Sequence, residues 1–119
     1  MPVSQNDKFA IIDELENTRT KGNKLVITLL FAGKKTEAAD ARKKVKELGA
    51  EIDGLLAESM KTWSGQGKVI IADMKKVNEL LQRDISYIQK KKELANKVVK
   101  ALGRLDESIL TAKDLLTKI

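Results

Sequence analysis

From Met74 to the C-terminus, apolar residues recur at alternating steps of three and four. The positions are Met74, Val77, Leu81, Asp84, Ile88, Lys91, Ala95, Val98, Leu102, Leu105, Ile109, Ala112, Leu116 and Ile119, and only Asp84 and Lys91 break the rule. Such a register predicts a long helix lying along helical neighbours. The positions just before each first apolar site are Leu80, Tyr87, Leu94, Ala101, Ser108 and Leu115. The face is therefore three positions wide, which calls for two or more neighbours rather than the single seam of a two-stranded coil.

Two further helices precede it. Ser4 is a candidate N-cap with Asp7 in the capping-box position, and it opens a helix over about 5–32. Its inward face is Ile12, Leu15, Val26 and Leu29, flanked by Phe9, Ile11, Leu25 and Leu30. Arg19 and Gly22 interrupt this face, and a break is expected near Lys21–Asn23, because Gly and Asn are poor helix formers. Gly33-Lys34-Lys35-Thr36 reads as a turn, with Gly33 as a left-handed C-cap and Thr36 as the next N-cap. A second helix over about 37–63 repeats Ala38, Ala41, Val45, Leu48, Ile52, Leu55, Ser59 and Thr62, with Leu56 and Trp63 widening the face. Ser64-Gly65-Gln66-Gly67 is the strongest breaker in the chain. The third helix then occupies about 68–119, roughly 75 Å if straight.

The fold class that follows is all-α: an antiparallel bundle of three long helices forming one domain over residues 1–119. Antiparallel turns set residue i of the first helix against about 68 − i of the second, and residue j of the second against about 132 − j of the third. Arg19, Gly49 and Asp84 then share one level. A buried polar layer with Arg19 paired to Asp84 is expected there, the alternative being that both reach water at the rim. The same arithmetic leaves Val98, Leu102, Leu105, Ile109, Leu116 and Ile119 beyond the ends of the first two helices. Bare apolar stripes of that length need cover. Either the long helix stays straight and dimerises through its tail, or it bends back near Lys90-Lys91-Lys92 to make a four-helix bundle. No turn residue marks a bend, which favours the straight helix.

Composition narrows the chemistry. The chain has no cysteine and no histidine, so disulfides, thiolate chemistry and the commonest general base and metal ligand are missing. No catalytic constellation, metal site or cofactor is implied, and no small-molecule substrate. Asp13-Glu14 and Asp106-Glu107 are sequence neighbours, which point about 100° apart on a helix. Gly65-Gln66-Gly67-Lys68 lacks the spacing and preceding strand of a phosphate loop. The N-terminus carries no secretory signal pattern, and the apolar run Leu25–Ala32 is far shorter than the roughly 20 residues of a bilayer span, so the expected location is cytoplasmic.

Charge adds a second reading. The net charge is +6, with +1 in residues 1–63 and +5 in residues 64–119. Lys76, Arg83, Lys90, Lys97 and Arg104 fall at intervals of seven. On a straight helix they make a basic stripe about 42 Å long. It suits the phosphates of a nucleic acid or an anionic membrane, or serves only as a solvated outer face. Trp63, the only tryptophan, is either a cover for the last core layer or an anchor for another protein.

Trp63-Ser64-Gly65 lies in a turn between two long helices. It resembles the turn motif of the small secreted Trp-X-Gly helical-hairpin proteins, over roughly residues 37–119. The resemblance implies a dimeric helical hairpin exported by a specialised system, often as the partner of a larger toxin. The extra first helix, the unequal arms and the missing Tyr-X-X-X-Asp/Glu signal depart from that pattern.

The expected function is that of a non-enzymatic interaction or assembly protein. It would bind itself, as a homodimer, or another helical protein through Val98, Leu102, Leu105, Ile109, Leu116, Ile119 and Trp63. The alternative is a basic accessory protein that contacts nucleic acid or anionic lipid through the lysine and arginine stripe.

Overall fold

The protein is described by a computed structural model covering residues 3–90 and 95–115. It forms four helices, α1 (Gln5–Phe31), α2 (Lys35–Ala57), α3 (Gly67–Lys90) and α4 (Ala95–Asp114). No strand occurs among the described residues.

The start of α1 follows its cap: the Ser4 hydroxyl accepts the Asp7 N–H at 3.2 Å. The expected break at Lys21–Asn23 does not occur, and α1 runs unbroken. Gly22 is buried where three helices meet. A Cβ there would stand 2.6 Å from Val45 Cγ2 and 3.1 Å from Leu105 Cδ2. The glycine lets α2 and α4 close on α1, and the packing gained offsets its helix penalty of about 1 kcal/mol. Gly33 ends the helix with φ 76°. Its N–H reaches Leu30 O at 3.1 Å while Lys34 N–H reaches Leu29 O at 2.9 Å, the paired bonds of a Schellman turn. Thr36 does not cap α2, which begins two residues earlier than expected, at Lys35, with Lys34 at its N-cap position and no side-chain cap bond.

The helices are arranged in an unexpected order. α1 packs on α2 and α3, α4 packs on the same two, and α1 touches α4 across the middle, whereas α2 and α3 stand at opposite corners. The α1–α2 hairpin keeps the expected register, with Arg19 lying over Gly49 and Gly22 against Val45. The α1–α3 pair is parallel: Thr18 meets Asn78, Lys21 meets Gln82 and Thr28 meets Gln89. The α2–α4 pair is parallel as well, with Lys44 on Asp106 and Lys113 on Glu47. The antiparallel α2–α3 register near 132 − j is therefore not formed. The chain leaves α2 at Ala57 and uses residues 58–66 to cross to the diagonal corner, which is why the second helix stops short of Trp63.

The third helix is also corrected. Residues 68–119 are not one straight helix; α3 ends at Lys90 and α4 runs back alongside it, making a four-helix bundle. Residues 91–94, which include Lys91 and Lys92 of the expected bend, and residues 116–119 lie outside the described part of the chain. The buried face shifts across the bend. α3 buries Met74, Asn78, Leu81, Ile85 and Ile88, whereas α4 buries Val98, Ala101, Leu105, Ser108, Ala112 and Leu115. The third column of the face thus changes sides. Tyr87, expected on the packed face, is 45% exposed instead.

The core consists of two apolar clusters. One gathers Leu25, Leu29, Ala41, Leu81, Ile85, Ile88, Val98 and Leu105 near the α1–α2 turn. The other gathers Val3, Ile11, Leu15, Leu48, Ile52, Trp63, Met74 and Leu115 near the chain ends. Between them lies a buried polar layer of Thr18, Asn78 and Ser108. The Thr18 hydroxyl stands 2.5 Å from Asn78 Oδ1 and 3.0 Å from Glu14 O, and Ser108 approaches it at 3.5 Å. The Asn78 amide donates to Glu14 O at 3.1 Å and to Glu14 Oε1 at 3.0 Å. The buried Thr18, Asn78 and Ser108 side chains are satisfied by one another and by the half-buried Glu14, as buried polar atoms must be.

Candidate functional site

The two ends of the bundle are closed differently. At the end holding the chain termini, the crossing segment is stitched into place. Val3 N–H reaches Trp63 O at 3.3 Å, and Ser64 N–H reaches Leu115 O at 2.9 Å. Trp63 is fully buried and its indole N–H donates to Glu58 O at 3.2 Å. The tryptophan therefore seals the last core layer and presents nothing to a partner. Lys8, itself buried, donates from Nζ to Ser59 O at 2.8 Å and to Lys61 O, and its ammonium lies 5.3 Å from the Trp63 ring centre. Two carbonyls of the crossing segment are thereby satisfied.

At the opposite end, large apolar side chains stay outside. Phe31 is 90% exposed, and Ile27 and Leu30 are about half exposed. Ile27, Leu30 and Phe31 are three and four residues apart, so they form one patch at the tip of α1. An open groove of about 940 Å³ runs beside it between α1 and α3. Ile27, Phe31 and Ile88 contribute its apolar lining, Lys24, Lys34 and Lys90 stand around it, and among the described residues no carboxylate lines it.

Surface charge divides at the Thr18–Asn78–Ser108 layer. Among the described residues, the half that includes the α1–α2 turn carries 14 basic and 7 acidic side chains, a net of +7. The half that includes the crossing segment carries 6 and 9, a net of −3. The bundle measures 45 × 22 × 18 Å, so it is a charge dipole along its long axis.

The expected basic stripe does not survive as one line. Lys76, Arg83 and Lys90 are exposed along α3, but the fold-back carries Lys97 and Arg104 onto α4. There Lys97 Nζ lies 4.8 Å over the Tyr87 ring. Arg104 turns inward, 3.8 Å from Asp84 and 3.6 Å from Glu107. The Arg19–Asp84 pair is not formed. Arg19 remains exposed beside Glu16 at 3.5 Å, while the buried Asp84 faces Arg104. Asp84 Oδ2 and Arg104 Nε have no hydrogen-bond partner. Burial pushes the Asp84 carboxyl above its ordinary range, opposed by the charges of Arg104, Lys97 and Lys100.

Of the expected interface residues, Val98, Leu105 and Ile109 are buried among the chain's own helices, and Leu102 packs against the first cluster. Leu116 and Ile119 lie outside the described residues. Sequence reasoning missed Lys24, Lys34 and the exposed Ile27–Phe31 patch. The available signal was residues 17–36, which hold five basic and no acidic side chains. No described group of three or more acidic side chains is placed to hold a metal ion.

Comparison with protein-family models, with curated proteins and with solved structures finds no match to this chain. The Trp63-Ser64-Gly65 turn also departs from the hairpin it resembles, because it joins helices at opposite corners of the bundle rather than two arms that lie together.

Proposed function

We propose that the chain is a non-enzymatic interaction protein that engages an anionic partner through the lysine-rich end of its bundle. The observation that carries this reading is the charge division: +7 on one side of the polar layer against −3 on the other. Long-range attraction then orients the molecule before contact, with the lysine end leading. The apolar tail face that first suggested self-association is occupied by the chain's own helices, which removes the main reason to place the working surface there.

Retention on an immobilised polyanion such as heparin, eluted with salt, tests this. Lys24→Glu, Lys34→Glu and Lys90→Glu together should move elution to clearly lower salt. Lys61→Glu, Lys75→Glu and Lys76→Glu, which change the net charge equally from the other half, should move it much less. Equal effects of the two triple variants would sink the proposal.

A further inference from the structure

Resting on that reading, we infer that the anionic partner is a lipid bilayer surface, met tip-first, with Phe31 and Leu30 entering between the headgroups. The argument begins with what the tip exposes. Phe31 is 90% exposed, Ile27 55% and Leu30 45%, all at the last turns of α1. Polyanions such as nucleic acid reward lysines and give aliphatic side chains nothing. Phe31 can stack on a base, but Ile27 and Leu30 cannot. An acyl phase beneath anionic headgroups rewards both kinds at once.

The placement of the lysines fits the same surface. Lys34 and Lys35 follow the wedge directly, Lys24 lies on the same helix, and Lys90 reaches the groove from α3. Among the described residues that line the groove the only charged side chains are Lys24, Lys34 and Lys90, which suits an approaching phosphate. The wedge is also pre-ordered. The Schellman bonds of Gly33 and Lys34 fix the turn behind Phe31, so little chain entropy is lost on insertion. No described helix is long and apolar enough to cross a membrane, so the interaction is peripheral.

The molecule supplies its own control. Met60 at the opposite end is 92% exposed, but it sits on the half with net negative charge. Exposure alone would make both ends bind; exposure joined to lysines selects one.

The absence of cysteine makes the test clean. Ala32→Cys and Met60→Cys are each labelled with an environment-sensitive nitrobenzoxadiazole dye. They are mixed with vesicles of phosphatidylcholine alone or with phosphatidylserine added. The dye at 32 should brighten and shift to the blue with phosphatidylserine vesicles, and the dye at 60 should not. Unlabelled Phe31→Ser should lose at least tenfold in vesicle co-sedimentation while keeping its heparin retention, and each lysine removed from the tip should cost roughly fivefold. Circular dichroism confirms that these surface variants fold. A shift at 60 instead of 32, or vesicle binding unchanged by Phe31→Ser, overturns the inference. So does wild-type protein that ignores the vesicles but is held by heparin or by a DNA duplex; in that case the reading of a basic working end stands and only the lipid assignment falls. Indifference to vesicles and polyanions alike removes both.

Discussion

One end of this bundle is sealed and the other is left open. The sealed end spends its polar groups internally: a buried lysine, an indole N–H, Val3 and Leu115 all bond to the crossing segment. At the open end the α1–α2 connection is a compact turn, and a phenylalanine beside it stays almost wholly in solvent. Both ends bury a comparable apolar cluster, so the difference is not one of core quality. It lies in what each end does with the groups that remain. Where every remaining group finds an internal partner, the surface serves stability. Where apolar and cationic groups remain together outside, the surface is available for binding.

The contrast can be broken hardest from within. Gly22→Val pushes a branched side chain against Val45 and Leu105, in the cluster of the open end. It should cost about 3 kcal/mol, measured by urea unfolding, and hydrogen exchange should rise first in the open half. A variant as stable as the parent would mean that the close approach of the three helices is misjudged. Next comes the layer between the clusters. Asn78→Ala removes the side chain that links Thr18 to Glu14 and leaves a gap in the buried layer, and should cost about 2 kcal/mol. Lys8→Met then tests the seal. The methionine keeps most of the buried stem but abandons the Ser59 and Lys61 carbonyls, at about 1.5 kcal/mol, with protease sensitivity appearing in residues 58–66.

The smallest effect sharpens the comparison through pH. The folded pKa of Asp84 is raised, chiefly by burial, so the folded state favours its protonated form. Its contribution to stability is therefore fully present below the ordinary pKa of 3.8 and is lost as pH rises through the folded value. Asp84→Asn should remove that dependence and raise the midpoint of thermal unfolding by a few degrees at neutral pH. Arg104, left alone, can still turn toward Glu107. If the substitution lowers the midpoint instead, the Asp84–Arg104 attraction outweighs the cost of burying the carboxylate.

Local signals in the sequence were legible because they need few residues to act. The Ser4 cap, the Gly33 turn and the α1–α2 register all follow from side chains or glycines acting on their own neighbourhood. The fold-back was hidden because positions such as Asp84 and Ile88 before it, and Val98 and Ile109 after it, fit one seven-residue register. The third column holds the clue. It passes through Asn78 and Ile85 in α3 and through Ala101, Ser108 and Leu115 in α4. A straight helix cannot move its buried flank to the other side of its stripe. The lysine-rich end was missed for a related reason. Charge was compared between the two halves of the chain, whereas folding pairs the late part of α1 with the late part of α3 and the first turns of α2 and α4, so the imbalance exists only along the bundle axis.

The seal has a practical consequence for anyone handling the molecule. Val3 and Leu115 both bond to the crossing segment, so the described chain begins and finishes at the same pole. A fluorescent protein or affinity handle joined to the chain beside Val3 would trail behind the bundle, on the side away from Phe31. Surface immobilisation through such a handle would display the lysine pole outward, ready for whatever flows past.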